Sequence, residues 1–312
     1  MGTIAVTGSV AFDTIMVFPG HFAEHIISDQ AHILNVSFLV DRLEKRRGGT
    51  AANIAYNLAL LGERPLLCAA VGNDFAEYGA ALSAVGVDTS GALMFDDIPT
   101  ATSFITTDAD DNQITAFYAG AMGRAVRVDL TMLSGVDYVI VAPDAPDGMG
   151  LHIEQAAKLG ARLVFAPAQQ LSSMSDETLV AGLDAAWLVV GNDYEFQVIQ
   201  RRTGRDPQSL AGAGALVALT RGGQGSELHI GGDVHRIPVA QPKELVDPTG
   251  AGDAYIAGLL AGLRSGRDPE MAGRMGALAA VYVIEQQGPQ SHSYTRDQFA
   301  ERYARSFAQP LS

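Results

Sequence analysis

The chain has 312 residues, of which 47% are hydrophobic and 18% are charged, a composition that predicts a large buried core. Its formal net charge of −14 excludes the broad basic surface of a nucleic-acid-binding protein. A single cysteine, Cys68, excludes an intramolecular disulfide and fits a reducing cytoplasm. The longest apolar runs, about ten residues, are half of what a membrane-spanning helix requires. We therefore expect a cytoplasmic protein with neither nucleic acid nor membrane as partner.

The first predicted strand covers residues 3–7 and ends at the small residues Gly8 and Ser9. Asp13 follows soon after, and we expect it at the carboxyl edge of an open α/β sheet, where ligands bind. A carboxylate there can accept two hydrogen bonds from a vicinal diol of a ribose or hexose. An Asp that caps its own turn is an equally good interpretation.

Two segments break the α/β pattern and predict a small second sheet that covers the main one as a lid. Residues 14–47 have β-like pieces at 14–18 and 33–40 around a helical patch at 21–30. His21 and His25 could share one helix face there, but without a third metal ligand a solvated helix is favoured. Residues 98–122 contain a hairpin with its turn at 108–112. Its Phe104 and Phe117 either stack on a flat ligand or pack the hairpin.

The stretch Gly48-Gly49-Thr50-Ala51-Ala52-Asn53 opens a helical pattern that runs through Leu61. Glycines before a helix allow close approach to the backbone, and Asn53 adds a donor and an acceptor one turn inside. After residue 128, strands and helices alternate, which predicts a parallel sheet covered by helices. The predicted strands are 66–71, 138–141, 163–165, 187–190 and 216–220, and the predicted helices are 149–159, 193–202, 207–213, 254–263 and 269–284.

The stretch Asp247-Pro248-Thr249-Gly250-Ala251-Gly252-Asp253 leads directly into an apolar helix. A Gly-X-Gly turn before a helix leaves backbone N–H groups pointing one way, next to the positive end of the helix dipole. Asp253 beside such an anion site suggests a base that takes a hydroxyl proton during phosphoryl transfer. The alternative is an ordinary helix N-cap.

These motifs together resemble the ribokinase (PfkB) family of carbohydrate and nucleoside kinases. GGTAANIAYNLALLG is similar to the amino-terminal signature of that family, and DPTGAGDAYIAGLL to its carboxyl-terminal signature. Asn192-Asp193-Tyr194-Glu195 resembles its Asn-x-x-Glu motif, and the loop 220–225 resembles its nucleotide loop. The resemblance implies one α/β domain over residues 1–312, with a central mostly parallel sheet, helices on it, and a lid at roughly 14–47 and 98–122.

The resemblance also implies a role for individual residues. Asp253 would be the base, and Gly250, Ala251 and Gly252 the anion hole. Asn192 and Glu195 would hold Mg²⁺ through water, Asp247 would serve a K⁺ ion, and Thr220, Gly222 and Gly225 would border ATP. The implied acceptor-binding residues are Ser9, Asp13, Ser37, Gly49, Asn53, Phe104, Phe117, Gln169 and Gln170.

SFLVDRLEKRRGG, Gln169-Gln170 and FYAGAM resemble bacterial adenosine kinases within the family, which implies transfer of the γ-phosphate of Mg-ATP to the 5′-hydroxyl of adenosine. The main alternative is a sugar kinase acting on ribose, fructose or a related carbohydrate. A catalytically silent binding module would lack Asp253 or the glycine turn, and both are present. Exposed strand edges of the lid predict a homodimer through the lid sheets.

Overall fold

The structure is a computed structural model that describes residues 2–25 and 35–311. The strands are β1 (Thr3–Thr7), β2 (Ala11–Val17), β3 (Arg42–Gly48), β4 (Pro65–Cys68), β5 (Ala70–Gly72), β6 (Leu93–Phe95), β7 (Ala101–Thr107), β8 (Gln113–Tyr118), β9 (Val136–Val141), β10 (Arg162–Phe165), β11 (Ala186–Asn192), β12 (Leu216–Thr220), β13 (Ser226–Ile230) and β14 (Asp233–Ile237). The helices are α1 (Phe22–His25), α2 (Thr50–Leu60), α3 (Ala76–Ala84), α4 (Pro146–Leu159), α5 (Asp176–Ala185), α6 (Asp193–Thr203), α7 (Pro207–Gly212), α8 (Ala251–Arg264), α9 (Pro269–Ile284) and α10 (Arg296–Phe307).

The main sheet has eight strands in the order β14-β13-β12-β11-β10-β9-β1-β4. Strands β4, β1 and β9 to β12 run parallel, and β13 and β14 add an antiparallel edge. Two buried hydrophobic clusters pack with this sheet, one of them including helices α2, α8 and α9 and the other α4 and α5. The predicted fold class, a mostly parallel sheet covered by helices, is confirmed.

The lid is a four-stranded sheet in the order β3-β2-β7-β8, and its strands come from two separate segments of the chain. Strands β2 and β7 pair in parallel, whereas β3 and β8 pair antiparallel at the two sides. The predicted lid sheet is therefore present. The lid is open at both sides, and it lies above the carboxyl edge of the main sheet.

The lid strands differ in position from the sequence prediction. We expected strands at 14–18 and 33–40, but β2 begins at Ala11, and 35–40 form no strand. The second strand is β3, whose sequence RLEKRRG is almost entirely charged, so hydrophobic patterning gave no signal for it. The predicted helix at 21–30 is described only as α1, and the rest of that prediction lies outside the described residues.

Two further differences concern the main domain. The predicted strand 66–71 is two strands, since β4 belongs to the main sheet and β5 pairs with β6 in a separate two-stranded sheet. Helix α5 was not predicted, although Ser175 caps it by accepting a hydrogen bond from the amide of Thr178. In the described ranges, no helix has both the length and the apolar composition needed to cross a membrane.

Candidate active site

The DPTGAGD stretch folds as a tight turn into α8, as its glycines predict. Gly250 is the N-cap residue with φ 82°, and a Cβ atom there would come within 2.5 Å of the Cβ of Pro289. A Cβ on Gly252, in contrast, would meet no protein atom within 4 Å. In the described part of the chain, the amide N–H of Gly252 has no protein acceptor. The first turn of α8 therefore offers an open N–H group at the positive end of a helix dipole.

Asp253 stands one residue beyond this turn and is hydrogen bonded to Asn53. Nδ2 of Asn53, on α2, donates to Oδ2 of Asp253 at 2.9 Å. Burial raises the pKa of Asp253 to about 7, although the hydrogen bond from Asn53 opposes the rise. A carboxyl group that is half-ionised near neutral pH is suited to accept a proton from a hydroxyl group.

A cavity of about 540 Å³ lies in front of Asp253, between the lid and the main sheet. It brings together eight of the residues that the sequence assigned to the acceptor or the base. These are Ser9, Asp13, Gly49, Asn53, Phe117, Gln169, Gln170 and Asp253.

Gly49 and Ser9 shape one end of this cavity. Gly49 has φ 92°, and a Cβ there would lie 2.6 Å from the amide nitrogen of Ala11, so only glycine fits. Because Gly49 has no side chain to cap α2, the hydroxyl of Ser9 accepts the amide N–H of Thr50 at 3.0 Å. Ser9 therefore has a structural task here in addition to its place in the cavity wall.

Asp13 reaches the cavity from the lid, not from the edge of the main sheet as expected. It lies within β2, opposite Arg46 on β3 and Ser103 on β7. Burial raises its pKa, while Arg46 lowers it and Asp247 raises it further. The carboxylate is placed to accept hydrogen bonds from a hydroxylated ligand across the cavity from Asp253.

Two residues assigned to the acceptor are not in this cavity. Phe104 pairs with Ala116, and its neighbour Ser103 pairs with Phe117, so Phe104 and Phe117 lie on opposite faces of the lid. Phe117 lines the cavity, whereas Phe104 faces away and is 43% exposed. Ser37 lies in an exposed segment outside the cavity wall.

A second cavity of about 550 Å³ lies on the other side of the α8 turn. Thr220, Gly222 and Gly225 line it, as the nucleotide-loop motif implies, and its other walls are mostly apolar. Gly252 lines both cavities. The two spaces thus meet at the glycine turn before α8, the arrangement that transfer of a group between two ligands needs.

Asn192 and Glu195 line neither cavity, but they lie beside the second one, since Asn192 pairs with Thr220. They form a capping box at the start of α6. The carboxylate of Glu195 accepts one hydrogen bond from the backbone N–H of Asn192 and one from its side-chain Nδ2, each at 2.9 Å. Burial raises the pKa of Glu195. No group of three or more potential metal-ligating side chains occurs among the described residues. The side-chain oxygen atoms of Asn192 and Glu195 suit a Mg²⁺ ion that would be held through water, with phosphate oxygens as its other ligands.

Both carboxylate oxygens of Asp247 accept hydrogen bonds from backbone amides. Burial would raise its pKa, but hydrogen bonds from Thr249 and Gly288 and the nearby Arg46 together lower it. The guanidinium of Arg46 lies 3.8 Å from Oδ2. Arg46 also donates two hydrogen bonds to Glu44 at 2.8 and 2.9 Å, so it is shared between the two carboxylates. The K⁺ ion that the resemblance implied at Asp247 stays a prediction.

Several cavity residues were not identified from the sequence. Gly48, Thr50 and Thr249 lie within the recognised motifs, although no role was assigned to them. Met122 ends the stretch FYAGAM, which the sequence analysis had singled out. Pro143 and Pro289 gave no signal, because each reaches the cavity only through the packing of separate elements. The unpredicted residues that line the cavity are Ala11, Gly48, Thr50, Ser103, Met122, Pro143, Ala168, Thr249 and Pro289.

Comparison with known proteins agrees with this geometry. The model of the pfkB family of carbohydrate kinases matches residues 6–296, most of the chain. The chain belongs to the PfkB family. It is therefore a kinase with ATP as phosphoryl donor, as the resemblance implied.

Similar PfkB-family proteins include nucleoside kinases. One, from Methanothermobacter thermautotrophicus, is 33% identical over 287 residues, which are 90% of this chain and 92% of the relative. The solved structure of Burkholderia thailandensis nucleoside kinase in complex with inosine has 35% identity and a TM-score of 0.87, with 99% of each chain covered. Its complex with ADP-inosine has 35% identity and a TM-score of 0.85, with 99% of this chain and 97% of that chain covered.

Proposed function

We propose that this PfkB-family kinase transfers the γ-phosphate of Mg-ATP to the 5′-hydroxyl of a purine nucleoside. The supporting observation is that two cavities meet at Gly252, with Asp253 in the one and the glycine loop 222–225 in the other. The nucleoside would occupy the cavity under the lid, and ATP the cavity beside α9. Adenosine is the acceptor that the sequence resemblance favours, and inosine is the ligand of the similar Burkholderia enzyme.

In the proposed mechanism, Asp13 accepts hydrogen bonds from the ribose hydroxyls and holds the 5′-hydroxyl toward Asp253. Asp253 takes the hydroxyl proton as the 5′ oxygen attacks the γ-phosphorus atom, while the bond from that phosphorus to the β,γ-bridging oxygen breaks and ADP leaves. The amide N–H of Gly252 donates to the transferred phosphoryl group, which carries negative charge throughout. The lid excludes water, which would otherwise compete as acceptor.

Mg²⁺ would neutralise charge on the phosphate oxygens. We propose that Asn192 and Glu195 hold its water ligands, since both are oxygen-bearing groups next to the nucleotide cavity. Their mutual hydrogen bonds keep the carboxylate of Glu195 in one orientation. No part of the proposal depends on a monovalent ion.

The choice of a nucleoside over a free sugar rests on Phe117 and on the amides of Gln169 and Gln170, which extend the cavity beyond the volume that a ribose fills. A base stacked on an aromatic ring gains ~1–3 kcal/mol, which a free sugar does not. Amide groups can pair with the edge of a base through one donor and one acceptor. The alternative acceptor is a free sugar such as ribose or fructose.

A phosphotransfer assay with ATP and adenosine, inosine, guanosine, ribose or fructose tests the acceptor. We expect the purine nucleosides to give kcat/KM values at least about tenfold above those of the sugars, the factor that a stacking gain of ~1.4 kcal/mol provides. The Phe117→Ala variant should reduce this preference by lowering the nucleoside value only. Faster turnover of ribose than of any nucleoside would refute the nucleoside assignment and leave the kinase assignment intact.

The Asp253→Asn variant tests the base. It keeps the size of the side chain and one acceptor for Asn53 but cannot take a proton. We expect kcat to fall by roughly 10³-fold or more with little change in nucleoside KM, because general-base catalysis and orientation are both lost. Near-native turnover would show that Asp253 is not the base.

We also propose that two copies associate through the outer faces of their lids. The face away from the cavity exposes apolar side chains: Leu43 is 69% exposed, Phe104 43%, Ile114 44% and Tyr118 45%. Strand pairing places Phe104, Ile114 and Tyr118 on the same face as Leu43. An apolar face on a lid with open strand edges fits a second copy of the same face.

A further inference from the structure

Asn53, the partner of Asp253, is itself held by a residue from a distant part of the chain. Nε2 of Gln290, in the segment between α9 and α10, donates to Oδ1 of Asn53 at 2.8 Å and to the hydroxyl of Tyr78 at 2.5 Å. The Tyr78 hydroxyl donates in turn to the carbonyl oxygen of Gly48 at 2.8 Å. A continuous chain of hydrogen bonds therefore joins lid strand β3 to the carboxylate of Asp253.

This chain fixes which end of the Asn53 amide faces Asp253. Because Gln290 presents an N–H group, Asn53 must turn its oxygen toward Gln290 and its NH₂ group toward Asp253. The reverse orientation would set the Asn53 oxygen against an ionised carboxylate, which repels it. Tyr78 secures the arrangement at the other end, since its proton goes to Gly48 and its oxygen is left to accept from Gln290.

We propose that Gln290 is a positioning residue for phosphoryl transfer, which acts by keeping a hydrogen-bond donor of Asn53 directed at Asp253. The proposal rests on the role of Asp253 as base put forward above. Gln290 touches neither reacting group in this scheme. It acts through Asn53, and it couples the orientation of the catalytic carboxylate to the lid through Tyr78.

Two factors set the pKa of Asp253: its burial and the hydrogen bond from Asn53. Burial raises the pKa of Asp253, and the bond from Asn53 is what lowers it. Burial is the main cause that raises the pKa of Tyr78. The hydrogen bond from Gln290 and the charge of Arg47 on β3 lower it, whereas Asp13 on β2 and Asp253 raise it further. Loss of the Asn53 donor would therefore move the pKa of Asp253 upward and leave more of the base protonated near neutral pH.

The Gln290→Glu variant should reverse the orientation of the Asn53 amide. A carboxylate at this position can only accept, so Asn53 must turn its NH₂ group toward Glu and its oxygen toward Asp253. That contact is favourable only if Asp253 carries a proton. We expect the acid limb of the kcat–pH profile to move to higher pH by at least about one unit, a tenfold loss of kcat on that limb, with nucleoside KM nearly unchanged.

The matched control is Ser291→Glu, which adds the same charge at the next, exposed position without replacing the donor. We expect its profile to move by less than about 0.3 units, the effect of a screened surface charge. A second variant, Gln290→Leu, removes the donor without adding charge and should move the limb upward by less than Gln290→Glu does. An equal movement in Ser291→Glu would overturn the proposal. So would an unchanged limb together with an unchanged pKa of the Asp253 carboxyl in folded Gln290→Glu or, if that variant does not fold, in Gln290→Leu.

Carbon-13 NMR titration of the Asp253 carboxyl, assigned with Asp253→Asn, separates this proposal from the role of Asp253 as base. If the carboxyl pKa rises in Gln290→Glu but the kcat–pH profile does not follow, the base assignment fails and the positioning effect stands. If the carboxyl pKa does not change, the positioning effect is refuted, whatever group acts as base.

Discussion

At the scale of single residues, the proposed role of Asp253 as base predicts how activity depends on pH. Burial raises its pKa to about 7, and the base is active only when ionised. We therefore expect kcat to increase with pH and to be half-maximal near pH 7. A stopped or coupled assay between pH 5 and 9 at saturating substrates measures this. A kcat that is flat through this range would exclude Asp253 as the titrating base.

Asp144, a second buried carboxyl group, predicts a pH dependence of stability. Burial raises its pKa to about 7 despite the hydrogen bond from the amide of Ala145, and among the described residues its Oδ2 has no partner. The folded state thus keeps a proton that the unfolded chain releases near pH 3.8, the ordinary pKa of an Asp side chain. This stability is present at low pH and is lost as the pH rises toward 7.

The Asp144→Asn variant removes that proton linkage. Between pH 5 and 8, we expect the free energy of unfolding of the wild type to fall by about 2–3 kcal/mol more than that of the variant. Urea titrations at both pH values measure the difference, and Asp253 contributes equally to both proteins. Parallel pH dependence in the two proteins would contradict a raised pKa for Asp144.

At the scale of elements, two glycines at the start of α8 have different roles. Gly250 is needed for folding, whereas we expect Gly252 to be needed for ligand space. Gly250→Ala would place a Cβ against Pro289 in a left-handed backbone conformation, so we expect a loss on the order of 2 kcal/mol of stability. Gly252→Ala meets no protein atom, so stability should change by less than about 0.5 kcal/mol. Its methyl group would lie where both cavities meet, and we expect kcat to fall roughly 100-fold.

Thermal unfolding and steady-state kinetics of the two alanine variants test this distinction. The expected pattern is a lower Tm in Gly250→Ala and a lower kcat at native Tm in Gly252→Ala. Native kcat in Gly252→Ala would argue against phosphate binding at this turn.

Helices and strands of this protein also differ in how well their own residues predict them. Helix α8 has a glycine turn, an apolar run and a terminating glycine, and its prediction was accurate to a few residues. Strand β3 has no such signal, since its side chains are charged on both faces. It is a strand because its backbone pairs with β2, a long-range contact that local pattern does not encode.

At the scale of the whole molecule, we expect the protein to sediment as a dimer at micromolar concentration. Phe104→Glu would place a charge in the centre of the apolar outer lid face and should shift the population to monomer. The control is Met132→Glu, which adds the same charge at a residue 83% exposed in a loop outside the lid. Analytical ultracentrifugation distinguishes the outcomes. A monomeric wild type, or equal behaviour of both variants, would refute association through the lid.

The sequence by itself determined the family, the glycine turn proposed to bind phosphate and the carboxyl group proposed as base. It could do so because a glycine turn into an apolar helix is a local feature, set by backbone freedom over a few residues. Only the tertiary structure decided that Phe117 and not Phe104 lines the acceptor cavity, since this depends on the register between β7 and β8. It also brought Gln290 to Asn53, two residues that are 237 positions apart. Such pairings arise from long-range packing, which no short stretch of sequence specifies.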